Sequence, residues 1–169
     1  MAIHPILVNG KWQPRDGRET FRAEDPAQCA PSADEYPISS WRECEVALDA
    51  ARRAFDELRQ APPERIAKFL DAYAALIDEH AEALCAIAHQ ETALPIKPRL
   101  RDVELPRTVS QLRQAVTAAR DGSWSMPTLD TKLNIRSRYA AIGPVVVFGP
   151  NNFPLAFNSV SGGDFAAAI

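Results

Sequence analysis

Cysteine is scarce. Cys29, Cys44 and Cys85 are the three in 169 residues, far apart and without C-x-x-C spacing, an arrangement that argues against a disulfide framework and against a zinc site. Sparse free thiols fit a cytoplasmic protein. Long hydrophobic runs are also missing: no apolar stretch approaches the ~20 residues that span a bilayer. The opening "MAIHPILVNGKW" lacks the charged region and apolar core of a signal peptide. Nor is there an excess of base, since 19 Lys and Arg stand against 22 Asp and Glu for a formal net charge of −3. The cations are interleaved with acids on helical segments, which excludes the basic stripe that nucleic acid requires. Internal repeats and low-complexity tracts are absent, and the expectation is a chain without nucleic-acid or membrane partners.

What is present reads as a globular α/β protein, 46% hydrophobic and 24% charged. "ILVNGKWQP" predicts a β-hairpin, with Ile6 to Val8 outward, Asn9-Gly10 as the preferred type I′ pair, and Lys11 to Gln13 returning. Arg15 to Pro37 reads as irregular, because Pro26, Pro31 and Pro37 interrupt regular elements. Ser40 with Glu43 three residues on is a capping box, and Val46, Ala50, Phe55 and Leu58 form the apolar face of the helix that follows. Pro63 opens a second helix, whose apolar positions Ile66, Leu70, Tyr73, Leu76, Ile77, Leu84, Ile87 and Ala88 carry it to about His89. "LPIKP" breaks the pattern. A third helix is expected over Leu100 to Ala119, with Val103, Leu112, Val116 and Ala119 facing inward and Asp121-Gly122 ending it.

The period then changes. Leu133, Ile135, Ser137 and Tyr139 alternate with Asn134, Arg136 and Arg138, as in a strand with one wet face. Gly143-Pro144 turns the chain into Val145 to Phe148, a short continuous apolar run expected of a strand covered on both faces. From Pro154, the positions Leu155, Phe157, Val160, Phe165 and Ile169 suit a helix weakened by Gly162-Gly163. This last unit reads as the first β-α step of a doubly wound parallel sheet, with one division at residues 1–142 and 143–169. Because a central parallel strand needs neighbours on both sides, the chain is expected to be a fragment whose missing part completes the second domain.

At "GPVVVFGPNNFPLAF" the residues carry a resemblance to aldehyde dehydrogenases, in which a strand feeds a Pro-aromatic-Asn-Phe-Pro turn. "VNGKW", "ALDAARRAF", "PPERIAKFLDAYAALIDEHAEAL" and "HQETALP" fall in the family's order, so the likeness covers nearly the whole chain. Members usually place Trp before the key Asn, where this chain has Asn151. "VFGPNNFPLAFNSVSGGD", with "ELPRTVSQLR" and "DGSW" upstream, is more similar to the α-ketoglutarate semialdehyde (2,5-dioxopentanoate) dehydrogenase branch. The implied fold is the N-terminal part of an aldehyde dehydrogenase: hairpin, helices and an incomplete doubly wound sheet, with the catalytic domain absent.

The resemblance implies NAD(P)-dependent oxidation of an aldehyde to an acid by the intact protein, 2,5-dioxopentanoate to 2-oxoglutarate, with NADP favoured over NAD. In the family a cysteine thiolate attacks the aldehyde, hydride passes to NAD(P)+, and a glutamate assists hydrolysis of the thioester. By the motif match Asn152 is the catalytic donor to the developing oxyanion. An amide N–H is neutral and is not consumed by protonation, and losing one such donor costs about 3 kcal/mol of transition-state stabilisation. Phe148, Gly149, Pro150 and Asn151 are expected to line the nicotinamide end of the cofactor groove, Gly149 by letting backbone approach a ligand. Asn151 either lines that groove or packs where the family's aromatic sits. The family's phosphate-binding lysine, glutamate and nucleophile all follow Ile169, so these residues alone are expected to be inactive, and the intact protein to be a homodimer or homotetramer.

Other candidates do less. His80 and His89 lie nine apart on one expected helix without shared ligand geometry, and no metal site is assigned. Cys85 falls on an apolar helix side and reads as a core residue, while Cys29 sits in a Pro-rich loop without a base. "SVSGGD" lacks the spacing of a dinucleotide fingerprint. A second reading stands beside the enzyme: a naturally short, non-catalytic module that binds a full-length paralogue through its hairpin and helices.

Overall fold

A computed structural model of the protein describes residues 3–14 and 19–169. The hairpin forms as expected. β1 (Ile6–Val8) pairs antiparallel with β2 (Lys11–Gln13), Val8 opposite Lys11. Asn9 and Gly10 have φ of 51° and 71°, the positive pair that a type I′ turn demands.

Residues 19–37 are more regular than the prolines imply, and Arg15 to Arg18 lie outside the described residues. β3 (Thr20–Phe21) pairs with β6 (Tyr36–Pro37), and β4 (Glu24–Asp25) pairs with β5 (Ala30–Pro31) inside it. Pro31 and Pro37 are tolerated because each occupies the last residue of a two-residue strand. The Asp25 carboxylate accepts the N–H groups of Ala27 and Gln28 at 2.9 and 3.1 Å, closing the turn between β4 and β5.

α1 (Trp41–Leu58) starts at the Ser40–Glu43 capping box, with the Ser40 N–H donating to the Glu43 carboxylate at 2.8 Å. None of its residues is buried; the apolar face exists, but the described chain does not cover it.

The second expected helix is two. α2 (Pro63–Glu79) ends at His80, whose φ of −96° and ψ of 16° leave the helical region, and α3 (Ala81–Thr92) follows. Periodicity does not report this break, because Ile77, Ala81, Cys85 and Ala88 stay buried through it. Leu76 and Ile87 lie on the wet side at 50% and 54% exposure.

The third expected helix is also composite. Residues Ile96–Glu104 form a π-helical segment kinked at Lys97, whose φ of −116° and ψ of 139° are extended, and α4 (Leu105–Asp121) continues from it. The wider turn inserts one residue into the apolar stripe, which then runs Leu100, Leu105, Val109, Leu112, Val116, all buried. Val103, expected to face inward, is thereby rotated out to 55% exposure. Gly122 ends α4 in the left-handed region at φ 66°, its N–H bonded to the Ala118 carbonyl.

β7 (Thr128–Asp130) and β8 (Ile135–Ser137) form an antiparallel hairpin exposed at every residue, so the expected dry face is uncovered. The expected strand Val145–Phe148 forms no ladder, and Phe148 is 85% exposed. Its propensity is intact; what it lacks is a neighbouring strand among the described residues to share its backbone hydrogen bonds. The helix expected from Pro154 is a turn over residues 154–157, a second turn, and the short α5 (Gly163–Ala168). Gly162 sets the interruption: a Cβ there would lie 2.6 Å from the Asn158 nitrogen.

One core unites these elements. Ala67, Leu70, Ala74 and Ile77 of α2, Ala81, Cys85 and Ala88 of α3, the π-helical stripe with α4, and Ala166 of α5 are buried together. Leu155 and Phe165 pack against them, so the segment that follows Phe148 is docked on α2 and α4.

Candidate functional site

The "PNNFP" stretch is an exposed turn seated over the junction of the π-helical segment and α4. Phe148, Gly149, Pro150, Asn151 and Asn152 are all exposed, Phe153 and Pro154 half-buried. Among the described residues the Asn152 side-chain amide has no hydrogen-bond partner, whereas its backbone carbonyl accepts from Arg99 Nη2 at 3.0 Å. The same guanidinium lies over the Phe153 ring, 4.3 Å from its centre. Phe153 in turn meets Phe157 edge-on at 5.2 Å, and the Arg107 guanidinium covers the Phe157 ring at 4.8 Å.

Glu104 holds the other side. Its side chain is 1% exposed, and Oε2 accepts the N–H groups of Leu155 and Ala156 at 2.8 and 3.2 Å. Oε1 stands 3.0 Å from Arg99 Nη2; the contact is ionic, since its geometry is not that of a directed hydrogen bond. Pro154 has no N–H, so Leu155 and Ala156 carry the first two donors of the turn, and one carboxylate takes both. A buried carboxylate is tolerated only with such partners.

Gly149 has an intramolecular reason to be glycine. A Cβ would fall 2.7 Å from both the Phe157 carbonyl oxygen and the Ser159 nitrogen. The chain's own backbone thus makes a close approach at this glycine, which is itself exposed. Phe148 is 85% exposed, which leaves its ring face open to stack on an aromatic ring such as nicotinamide, and Pro150 and Asn151 are exposed as well. Their neutral, largely apolar chemistry is compatible with a nicotinamide ring, and none of them is a cation that could hold a cofactor's phosphates.

A model of the aldehyde dehydrogenase family matches residues 12–169. The chain belongs to the aldehyde dehydrogenase family. It is 40% identical over 160 residues to alpha-ketoglutaric semialdehyde dehydrogenase 2 of Azospirillum brasilense, covering 89% of this chain and 30% of that protein. It is 37% identical over 136 residues to alpha-ketoglutaric semialdehyde dehydrogenase of Acinetobacter baylyi, covering 75% and 25%. The solved structure of 3,6-anhydro-L-galactose dehydrogenase in complex with NAP superposes with a TM-score of 0.79 at 21% identity, over 98% of this chain and 35% of that one. The likeness of fold therefore extends through the hairpin, the helices and the docked turn. The chain spans about 30% of the length of the first of these relatives.

Within this aldehyde dehydrogenase segment, the thiols stand apart from the Asn152 turn. Cys85 is fully buried in the core, and desolvation pushes its thiol above the usual cysteine range, with Arg101 opposing; the burial and the net upward shift suit packing rather than attack. Cys29 is exposed and Cys44 half-buried. His80 occupies the α2–α3 junction and His89 sits on α3, its Nδ1 2.7 Å from the Leu94 carbonyl oxygen, so the two are on different elements. Among the described residues no cluster of His, Cys, Asp and Glu is placed to hold a metal, and no helix is long and apolar enough to cross a membrane. A shallow groove of about 400 Å³ between α2 and α4, lined by Asp78, Val109, Arg113 and Thr117, shares no residue with the turn.

Arg99 and Glu104 are the residues that sequence reasoning passes over. A signal for Glu104 exists: it is an acid on the apolar stripe, between Leu100 and Leu105. Arg99, half-buried in the structure, is one arginine among many in the sequence and carries none.

Proposed function

We propose that this chain supplies the oxyanion-stabilising turn and the nicotinamide-facing rim of an NAD(P)-dependent aldehyde dehydrogenase. The intact enzyme oxidises 2,5-dioxopentanoate to 2-oxoglutarate. The observation that carries the reading is the Asn152 turn, with its backbone gripped by Arg99 and Glu104 and its side-chain amide exposed and unpaired within the described residues. A donor held before charge develops stabilises that charge without reorganising. The substrate assignment is supported by the names of the two relatives at 37–40% identity.

In this reading the Asn152 N–H groups donate to the aldehyde oxygen as it becomes anionic. Phe148, Gly149, Pro150 and Asn151 border the nicotinamide, and residues 143–169 begin the cofactor domain while 1–142 precede it. NAD(P)+ supplies hydride acceptance when bound. NADP is the favoured form by the branch resemblance, and the intact protein is a cytoplasmic homodimer or homotetramer.

The test is Asn152→Ala in the complete polypeptide that carries this segment. Loss of one oxyanion donor is expected to lower kcat about 100-fold or more, with little change in cofactor affinity. Unchanged turnover removes Asn152 from the chemistry. A panel of aldehydes should place the highest kcat/KM on a 2-oxo-dicarboxylic semialdehyde.

A further inference from the structure

We propose that Glu104 and Arg99 are positioning residues, a two-sided clamp that fixes the turn carrying Asn152 and so places its amide for the reaction. The inference rests on the reading of Asn152 given above.

Four contacts reach residues 152–156 from two side chains of one π-helical segment. Arg99 Nη2 donates to the Asn152 carbonyl at 3.0 Å, and its guanidinium covers Phe153 at 4.3 Å. Glu104 Oε2 takes the N–H groups of Leu155 and Ala156 at 2.8 and 3.2 Å. The two side chains are joined by an ion pair at 3.0 Å. The clamp thus spans Pro154 and grips the turn both before and after it.

The winding of the segment makes this possible. Residues five apart in an α-helix point about 140° away from each other, at 100° per residue. In a π-helix the backbone hydrogen bonds run i to i+5 and the turn is wider, which brings such residues closer to one side. Beyond the extended Lys97 the segment has this winding, with the Leu105 N–H bonded to the Leu100 carbonyl five residues back, and Arg99 and Glu104 both reach the same turn.

The chemistry of the clamp suits positioning. Charge-assisted hydrogen bonds are shorter and about twice as strong as neutral ones, and here a 1%-exposed carboxylate supplies two of them. Arg99 holds Asn152 by its backbone carbonyl, leaving the exposed side chain to meet a ligand. Misplacing a reacting group by about 1 Å can cost on the order of 100-fold in rate, so a rigid anchor beneath Asn152 has a kinetic consequence beyond stability.

Two measurements test it. In amide hydrogen exchange on the folded protein, Glu104→Gln should speed exchange at Leu155 and Ala156 about tenfold or more, on the scale of one weakened charge-assisted bond. Unchanged exchange at both amides overturns the clamp. In the complete polypeptide, Glu104→Gln and Arg99→Lys should each lower kcat about 10- to 100-fold, with the KM for the nicotinamide cofactor within about twofold. Arg99→Lys keeps the charge while giving up the planar cover of Phe153, so it tests the clamp even if Glu104→Gln does not fold. In an Asn152→Ala background the same substitutions should lower kcat no further. If Asn152→Ala lowers kcat and Glu104→Gln multiplies that loss, the positioning role fails and the reading of Asn152 survives. If Asn152→Ala leaves kcat unchanged, the reading itself fails and takes this inference with it.

Discussion

The Tyr73 hydroxyl donates to the Val160 carbonyl at 2.9 Å, tying α2 to the segment that follows the Asn152 turn. The ring also meets Phe165 edge-on at 5.8 Å. Burial pushes the phenol above its ordinary range. Below the unfolded phenol's pKa of about 10, both states keep the proton and the stabilisation is intact. As pH rises past that value the unfolded chain releases its proton first, so folded stability falls. Tyr73→Phe should cost about 1 kcal/mol near neutral pH and flatten the decline above pH 10. Urea unfolding of both proteins across pH 8–11 checks both statements, and equal alkaline slopes would contradict the second.

Gly149 is held by the chain's own backbone. A methyl group there would sit 2.7 Å from the Phe157 oxygen and the Ser159 nitrogen, neither of which is a side-chain end that can swing away. Gly149→Ala should therefore destabilise the protein by about 1–3 kcal/mol, the usual cost of overpacking. The disturbance should appear as chemical-shift changes at residues 157–159. A variant with wild-type stability and unmoved signals there would show that the close approach has slack.

Glu64 and Arg120 link α2 to α4 through paired contacts at 3.0 and 3.1 Å. The Arg120 hydrogen bond holds the Glu64 carboxyl below its ordinary range. A depressed folded pKa contributes stability above the unfolded pKa, and that contribution is lost as pH falls through the folded value. Arg120→Met should return the Glu64 titration to the ordinary carboxylate range and remove its share of the acid sensitivity. Carboxyl NMR titration of wild type and variant reads the shift directly. Added salt should narrow the difference, since both side chains are about half exposed.

Much of the fold is legible in short-range chemistry. Asn9-Gly10 dictates the hairpin because both positions need positive φ; Ser40 and Glu43 satisfy each other's backbone at the start of α1; Gly122 stops α4 by accepting a left-handed conformation. Each outcome depends on residues within four positions of one another, and local sterics and hydrogen bonding suffice.

The misses share a different cause. The break at His80 leaves the apolar period unbroken, so a pattern count runs through it. The π-helical turn before α4 differs from an α-helix by one residue of phase, enough to turn Val103 outward and to bring Arg99 and Glu104 onto one turn. Val145 to Phe148 has the composition of a buried strand, yet it forms no ladder because pairing belongs to two strands and only one is present among the described residues.

By itself, the sequence determined the local elements, the Pro-Asn-Asn-Phe-Pro turn and, through the likeness of that turn and its flanking helices, the family. Tertiary structure alone decided what holds the turn. A carboxylate's partners can lie 51 and 52 positions away, as those of Glu104 do. Distance along the chain carries no information about distance in space once helices have packed, and a buried charge is satisfied by whatever donors that packing delivers.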